Sequence, residues 1–137
     1  EDTIVFLRTE LSELKEYGTI NQIVYMHEPR SRKVLERNIE NIVNGGIDVA
    51  KILLASHKKH LPDKYADTMV ALWGLGGFDE SVARALAEYV KLRNFLAHEY
   101  LDYRWKKVAA FIASAQKNFT YLINFTEQRL AADKPSS

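Results

Sequence analysis

The chain has 137 residues, 47% of them hydrophobic and 11% aromatic, which suits one domain with a substantial core rather than two. It has no cysteine, so disulfides and thiolate metal sites are excluded, and no apolar run approaches bilayer length. The formal net charge of +1 says little about partners, but the charge is unevenly spread: residues 1–17 carry five acidic residues against two basic ones, whereas Arg84 to Lys107 carries six basic against three acidic.

Strand signals are almost absent, and helical periodicity punctuated by glycine and proline runs through the chain. A first, acidic helix is expected from Thr3 to Tyr17, with Ile4, Leu7, Leu11 and Leu14 as its apolar stripe, stopping before Gly18. Residues 18–30 read as a loop or a short helical turn closed by Pro29. A long helix should follow, capped by Ser31 and running to about Lys59 before Pro62, with one stripe at Leu35, Ile39, Ile42, Val49 and Leu53, widened by Val43, Ile47, Ala50 and Leu54. Inside it lies Gly45-Gly46. Glycine in a helix interior costs about 1 kcal/mol relative to alanine, so the pair suggests either close approach of another helix or a kink.

A shorter helical piece is expected from Lys64 to Leu75, ended by Gly74-Leu75-Gly76-Gly77. Asp79 should cap the next helix, from about Glu80 to Ala97 or His98. Asp102 can cap a last helix to about Leu130, with Val108, Ile112, Ala115, Phe119, Leu122 and Thr126 as its stripe and Phe111 and Phe125 beside it. The expected fold is all-α: a four- to five-helix up-and-down bundle forming one domain over residues 1–131, with a frayed tail over 132–137.

The stretch Arg93-Asn94-Phe95-Leu96-Ala97-His98-Glu99-Tyr100 carries the chemistry. Val82, Leu86, Tyr89, Arg93, Leu96 and Tyr100 alternate in steps of four and three, the spacing of one buried helical stripe. Arg93 thus stands where packing alone would ask for Leu or Ile, and an unpartnered buried guanidinium is costly. An anion is expected there: Glu88, Glu99, a glutamate of the first helix, or a ligand phosphate. On a continuous helix Tyr100 would lie only about 20° from Arg93, and His98 about 140° away. Arg93 and His98 can then converge only if the helix loosens near His98, or if both reach into a site completed by another surface. A helix whose apolar stripe faces both core and neighbour is a natural dimer element.

Two copies paired about a two-fold axis would put two arginines and two histidines in one cleft, a set suited to RNA cleavage without a metal. Histidine titrates in the range needed to take the 2′-hydroxyl proton and to protonate the leaving 5′-oxygen. Arginine offers bidentate hydrogen bonds to phosphoryl oxygens, and Asn94 can orient His98 or bind phosphate. The structural alternatives stand beside this: a histidine at a helix end commonly caps it, and an arginine on an apolar stripe commonly snorkels or meets a carboxylate.

The same eight residues resemble the signature of the HEPN superfamily, an arginine and a histidine four to six residues apart with a polar residue after the arginine. The closer similarity is to the HepT toxins, with arginine, four residues, histidine, one residue and tyrosine, matched by Arg93, His98 and Tyr100. The order of helices is similar over nearly the whole chain. The resemblance implies a homodimeric, cytoplasmic endoribonuclease toxin that needs no cofactor, with Arg93, Asn94 and His98 as catalytic residues. It also implies a nucleotidyltransferase antitoxin of the MntA type that transfers AMP onto Tyr100. A noncatalytic subunit that docks such a nucleotidyltransferase and holds nucleotide or RNA is the alternative.

Lys91, Arg104, Lys106 and Lys107 are expected to bind RNA, with Trp105 either stacking on a base or packing in the core. His57 and His60 lack a third ligand at metal-site spacing and read as residues favouring the negative end of the long helix. His27 has no evident partner. Arg30, Arg32, Lys33 and Arg37 read as a solvated basic group, and the acidic first helix as either a partner-docking surface or a plain bundle helix.

Overall fold

A computed structural model describes residues 2–97 and 100–132. Six α-helices occur among them: α1 (Asp2–Leu14), α2 (Gln22–His27), α3 (Pro29–Ser56), α4 (Tyr65–Ala71), α5 (Glu80–Phe95) and α6 (Leu101–Ala132). Tight 3₁₀ turns extend α1 through Lys15–Tyr17 and α4 through Leu72–Leu75. No strand occurs among the described residues.

Helix directions follow from which residues meet. Glu10 of α1 accepts hydrogen bonds from Asn38 (2.6 Å) and Asn41 (3.0 Å), while Phe6 and Leu7 lie against Gly45. Numbers fall on α1 as they rise on α3, so the two are antiparallel. Glu36 meets Arg104, Gly46 meets Phe119, and His57 meets Arg129, so α3 and α6 run parallel. Asp79 N–H donates to the Tyr121 hydroxyl and Tyr89 bonds Ser114, so α5 opposes α6. The result is the expected up-and-down bundle of α1, α3, α5 and α6, with α2 and α4 as short connecting helices.

The stripes read from periodicity on α1, α3 and α6 form the core. Ile4, Leu7, Leu11 and Leu14 of α1 are buried, as are all nine apolar positions expected on α3. On α6 the expected residues are buried except Ile112, which is half-buried. Phe119 is central: Tyr89 stacks on it at 5.4 Å and meets Phe111 edge-on at 4.9 Å, arrangements aromatic rings favour.

Gly45 and Gly46 mark close approach. A Cβ on Gly46 would come 2.5 Å from the Phe119 ring, whereas one on Gly45 would sit at ordinary contact distance, 3.4 Å from Phe6. The helix runs unbroken through both residues, so the pair serves packing rather than a break in α3.

Several boundaries differ from expectation. Pro29 does not close a loop. It stands at the start of α3, where its fixed φ is already helical and its missing N–H costs nothing; Ser31 is therefore inside the helix. The preceding segment contains α2, capped by Asn21, whose side chain accepts from Val24 N–H at 2.9 Å. α3 ends at Ser56 because Lys58 adopts a left-handed backbone (φ 56°) and Lys59 N–H turns back to the Leu54 carbonyl. Asp79 caps α5 as expected, accepting from the N–H groups of Ser81 (2.7 Å) and Val82 (3.3 Å). Asp102 lies within the first turn of α6, and the carbonyl of Tyr100 accepts the Arg104 N–H. Ala132 is still helical; the rest of the expected tail lies outside the described residues.

The two glycines should respond oppositely to a methyl group. Gly46→Ala is expected to destabilise by about 1–3 kcal/mol through overpacking against Phe119. Gly45→Ala should be neutral or stabilising by up to about 1 kcal/mol through helix propensity. Urea unfolding of both variants checks the pair.

Candidate functional site

α5 is fixed in rotation by its contacts with α6. The Tyr89 hydroxyl bonds Ser114 Oγ (2.5 Å) and accepts from Asn118 Nδ2 (2.8 Å), while Val90, Leu92 and Leu96 are buried. This phase sends Arg93 toward α3 and α4. Its Nη1 donates to Asn44 Oδ1 at 2.7 Å, and its Cζ lies 5.6 Å from the centre of the Tyr65 ring. The side chain is half-buried at the wall of a cavity of about 240 Å³ that also touches Ile47, Asp48 and Lys51.

The expected anionic partner of Arg93 is not found among the described residues. Glu88 pairs with Lys91 at 3.1 Å, and Glu10 is turned inward onto Asn38 and Asn41; Glu99 lies outside the described residues. Arg93 instead holds a neutral amide oxygen and a ring face. Neither contact cancels the guanidinium's charge, and among the described residues Asn44 is its one hydrogen-bond partner.

Asn94, the next residue, is exposed. His98 lies outside the described residues. The motif is not one continuous helix: α5 ends at Phe95, and Leu96 and Ala97 form a turn in which Ala97 N–H bonds the Asn94 carbonyl at 3.4 Å. Tyr100 therefore does not share the Arg93 stripe. It leads into α6 and is 83% exposed. The helix ends at Phe95 because α6 must reverse direction to pack antiparallel on α5, a tertiary demand that overrides the helical propensity of Leu96 and Ala97.

The four expected RNA contacts separate into different roles. Lys91 and Lys107, from different helices, line one groove between α5 and α6, a cavity of about 440 Å³ with Phe95, Phe111 and Ser114 on its walls. Lys106 is exposed. Arg104 is spent on the bundle: its guanidinium grips Glu36, with only 17% and 13% of the two side chains exposed, and Tyr25 donates its hydroxyl to the same carboxylate. Burial first, and then that hydrogen bond, raise the ionisation of Tyr25 well above the ordinary tyrosine range. Trp105 packs on Tyr25 at 5.4 Å, so it joins the core.

Other polar residues resolve similarly. Arg32 does not belong to a solvated group; it donates to the Tyr25 (2.9 Å) and Met26 (3.2 Å) carbonyls at the end of α2. Arg30, Lys33 and Arg37 lie toward solvent, as do His27 and His60. His57 ends α3, its Nδ1 3.0 Å from the Leu53 carbonyl and its Nε2 3.4 Å from Arg129. The residues that sequence reasoning missed are those around Arg93: Asn44, Asp48, Lys51 and Tyr65. A signal was present, since Asn44, Asp48 and Lys51 are spaced to share one polar face of α3, but nothing local said which helix would meet that face.

A family model described as "Ribonuclease HepT-like" matches residues 7–128, from the first helix into the last. No curated protein matches the chain.

Arg104→Ala is expected to lower the unfolding free energy by about 3 kcal/mol, because Glu36 keeps its burial and loses its cation. RNA affinity per folded molecule should be unchanged. Chemical denaturation beside a binding titration checks both halves.

Proposed function

The chain belongs to the HepT-like ribonuclease family, and on that premise we propose that it is a metal-independent endoribonuclease toxin of a toxin–antitoxin pair, acting in the cytoplasm as a homodimer. Arg93, Asn94 and His98 are the catalytic residues. The single observation that carries this reading is the state of Arg93. Among the described residues Arg93 meets no carboxylate, and it is held instead by the Asn44 amide oxygen and the Tyr65 ring, which supports a role in binding an anion.

In the proposed reaction one histidine removes the ribose 2′-hydroxyl proton, and the 2′-oxygen attacks the adjacent phosphorus. The bond to the 5′-oxygen breaks, and that oxygen takes a proton from the second protomer's histidine. Arg93 stabilises the charge that builds on the phosphoryl oxygens. Asn94, exposed beside it, orients His98 or binds phosphate. The products are a 2′,3′-cyclic phosphate and a free 5′-hydroxyl, and DNA resists because it lacks the nucleophile. Lys91, Lys106 and Lys107 contribute RNA contacts.

Control is exerted by an MntA-like nucleotidyltransferase antitoxin. The Tyr100 oxygen attacks the α-phosphorus of ATP, pyrophosphate leaves, and the hydroxyl proton is lost. The exposure of Tyr100 supports this, since a partner's active site must reach the hydroxyl. The bulk and negative charge of the adenylate near the catalytic motif then block RNA.

Labelled RNA incubated with the protein in excess EDTA should be cut to products with cyclic phosphate ends. Arg93→Ala and His98→Ala should each slow cleavage by at least about a hundredfold. RNA binding without cleavage by the parent protein would favour the alternative, a noncatalytic nucleotide- or RNA-binding subunit. After incubation with a nucleotidyltransferase partner and ATP, intact-mass and peptide analysis should find one adenylate on Tyr100 and none on Tyr100→Phe.

A further inference from the structure

The cavity beside Arg93 holds a second cation that the motif does not include. Lys51 projects from the α3 face that carries Asn44 and Asp48, and its Nζ lies 4.6 Å from the centre of the Tyr65 ring. Arg93 approaches the same ring at 5.6 Å. Tyr65 opens α4 and is 42% exposed, so one aromatic ring from a third helix holds two cations at the rim of a solvent-facing hollow. Cation–π attraction fixes a charge in place without neutralising it. Two like charges gathered on one ring repel, and an anion seated between them would turn that repulsion into attraction.

Charge and size both narrow the ligand. Among the described residues, Asp48 is the one carboxylate on the wall, and it forms no ion pair with Lys51 or Arg93. Two cations and one carboxylate leave a single net positive charge, which matches one phosphodiester. The cavity, about 240 Å³, falls below the roughly 300–1,000 Å³ of sites that enclose a whole small-molecule ligand. It suits a phosphate and part of its ribose, with the chain passing over the rim.

We propose that this hollow is a phosphodiester subsite for single-stranded RNA, with Lys51 as a second phosphate ligand beside Arg93. Tyr65 is the positioning residue that holds the ammonium and the guanidinium through its ring face. The proposal rests on the reading of the chain as an RNA-acting protein, but it does not require that the RNA be cut.

The test uses a 2′-O-methyl oligoribonucleotide, which keeps the phosphates and cannot be cleaved, titrated by fluorescence anisotropy over a salt series. Lys51→Met is expected to weaken binding about three- to tenfold at moderate salt, equally for different sequences, and to lower the slope of log affinity against log salt by about 0.7, the value of one lost phosphate contact on a single strand. Lys51→Arg should restore both. Tyr65→Phe should bind like the parent protein, while Tyr65→Leu should lose several-fold, because only the former keeps a ring face. Circular dichroism melts establish that the variants are folded. A parent protein that binds with Lys51→Met unchanged in affinity and slope overturns the subsite and leaves the RNA reading intact, and so does equal binding by the Phe and Leu variants of Tyr65. No binding by the parent protein overturns both.

Discussion

The approach of α3 to α6 at Gly46 is the contact from which the geometry of the candidate site follows. With only hydrogen at that position, the Phe119 ring lies directly against the α3 backbone. Tyr89 of α5 stacks on that ring and is tied to α6 by Ser114 and Asn118. α5 is thereby fixed in height and rotation. One turn beyond Tyr89, Arg93 reaches back to α3 at Asn44, two residues before the glycine where the chain of contacts began. A close-packed interior transmits small displacements because it has little free volume to absorb them. The catalytic candidate is therefore tied through Tyr89 to a close contact in the core, although its own side chain is only half-buried at the wall of a cavity.

The arginines divide by what they touch. Arg8, Arg84 and Arg104 meet carboxylates on Glu127, Glu80 and Glu36. Arg32 and Arg129 donate to backbone carbonyls, at the end of α2 and in the glycine-rich turn before α5 respectively. Arg93 meets an amide and an aromatic ring. Carboxylate pairs satisfy a guanidinium and cancel its field, and carbonyls occupy its donors. A neutral amide restricts its rotation at the cost of one donor. Among the described residues this contact distinguishes Arg93 from Arg104, eleven residues away and equally basic in the sequence.

The separation also shows where linear reading failed. Arg104-Trp105-Lys106-Lys107 mixes basic and aromatic residues as a nucleic-acid contact would, yet Arg104 and Trp105 point inward to Glu36 and Tyr25, while Lys106 and Lys107 stay outside. Successive helical residues are rotated by about 100°, so a basic run divides between interior and solvent according to the helix phase. That phase is set by Val108, Phe111 and Ala115 packing into the core. The opposite error occurred at Arg93, where a stripe drawn through Tyr100 continued a helix that ends at Phe95.

The long helices, most of their buried faces and the Asp79 cap were legible in the sequence, because period, caps and turn residues act over a few neighbours along the chain, whereas the choice between close approach and a kink at the glycine pair was not. The motif arginine and its resemblance to a known ribonuclease family were legible for the same reason, as short-range patterns. The partners of Arg93 were not. Asn44 and Tyr65 lie 49 and 28 residues before it, and they meet it only because the core aligns α3, α4 and α5 at one height. Local chemistry determined which residues form each helix and which face is apolar; only the packing of those faces against one another decided which polar side chains would share a cavity.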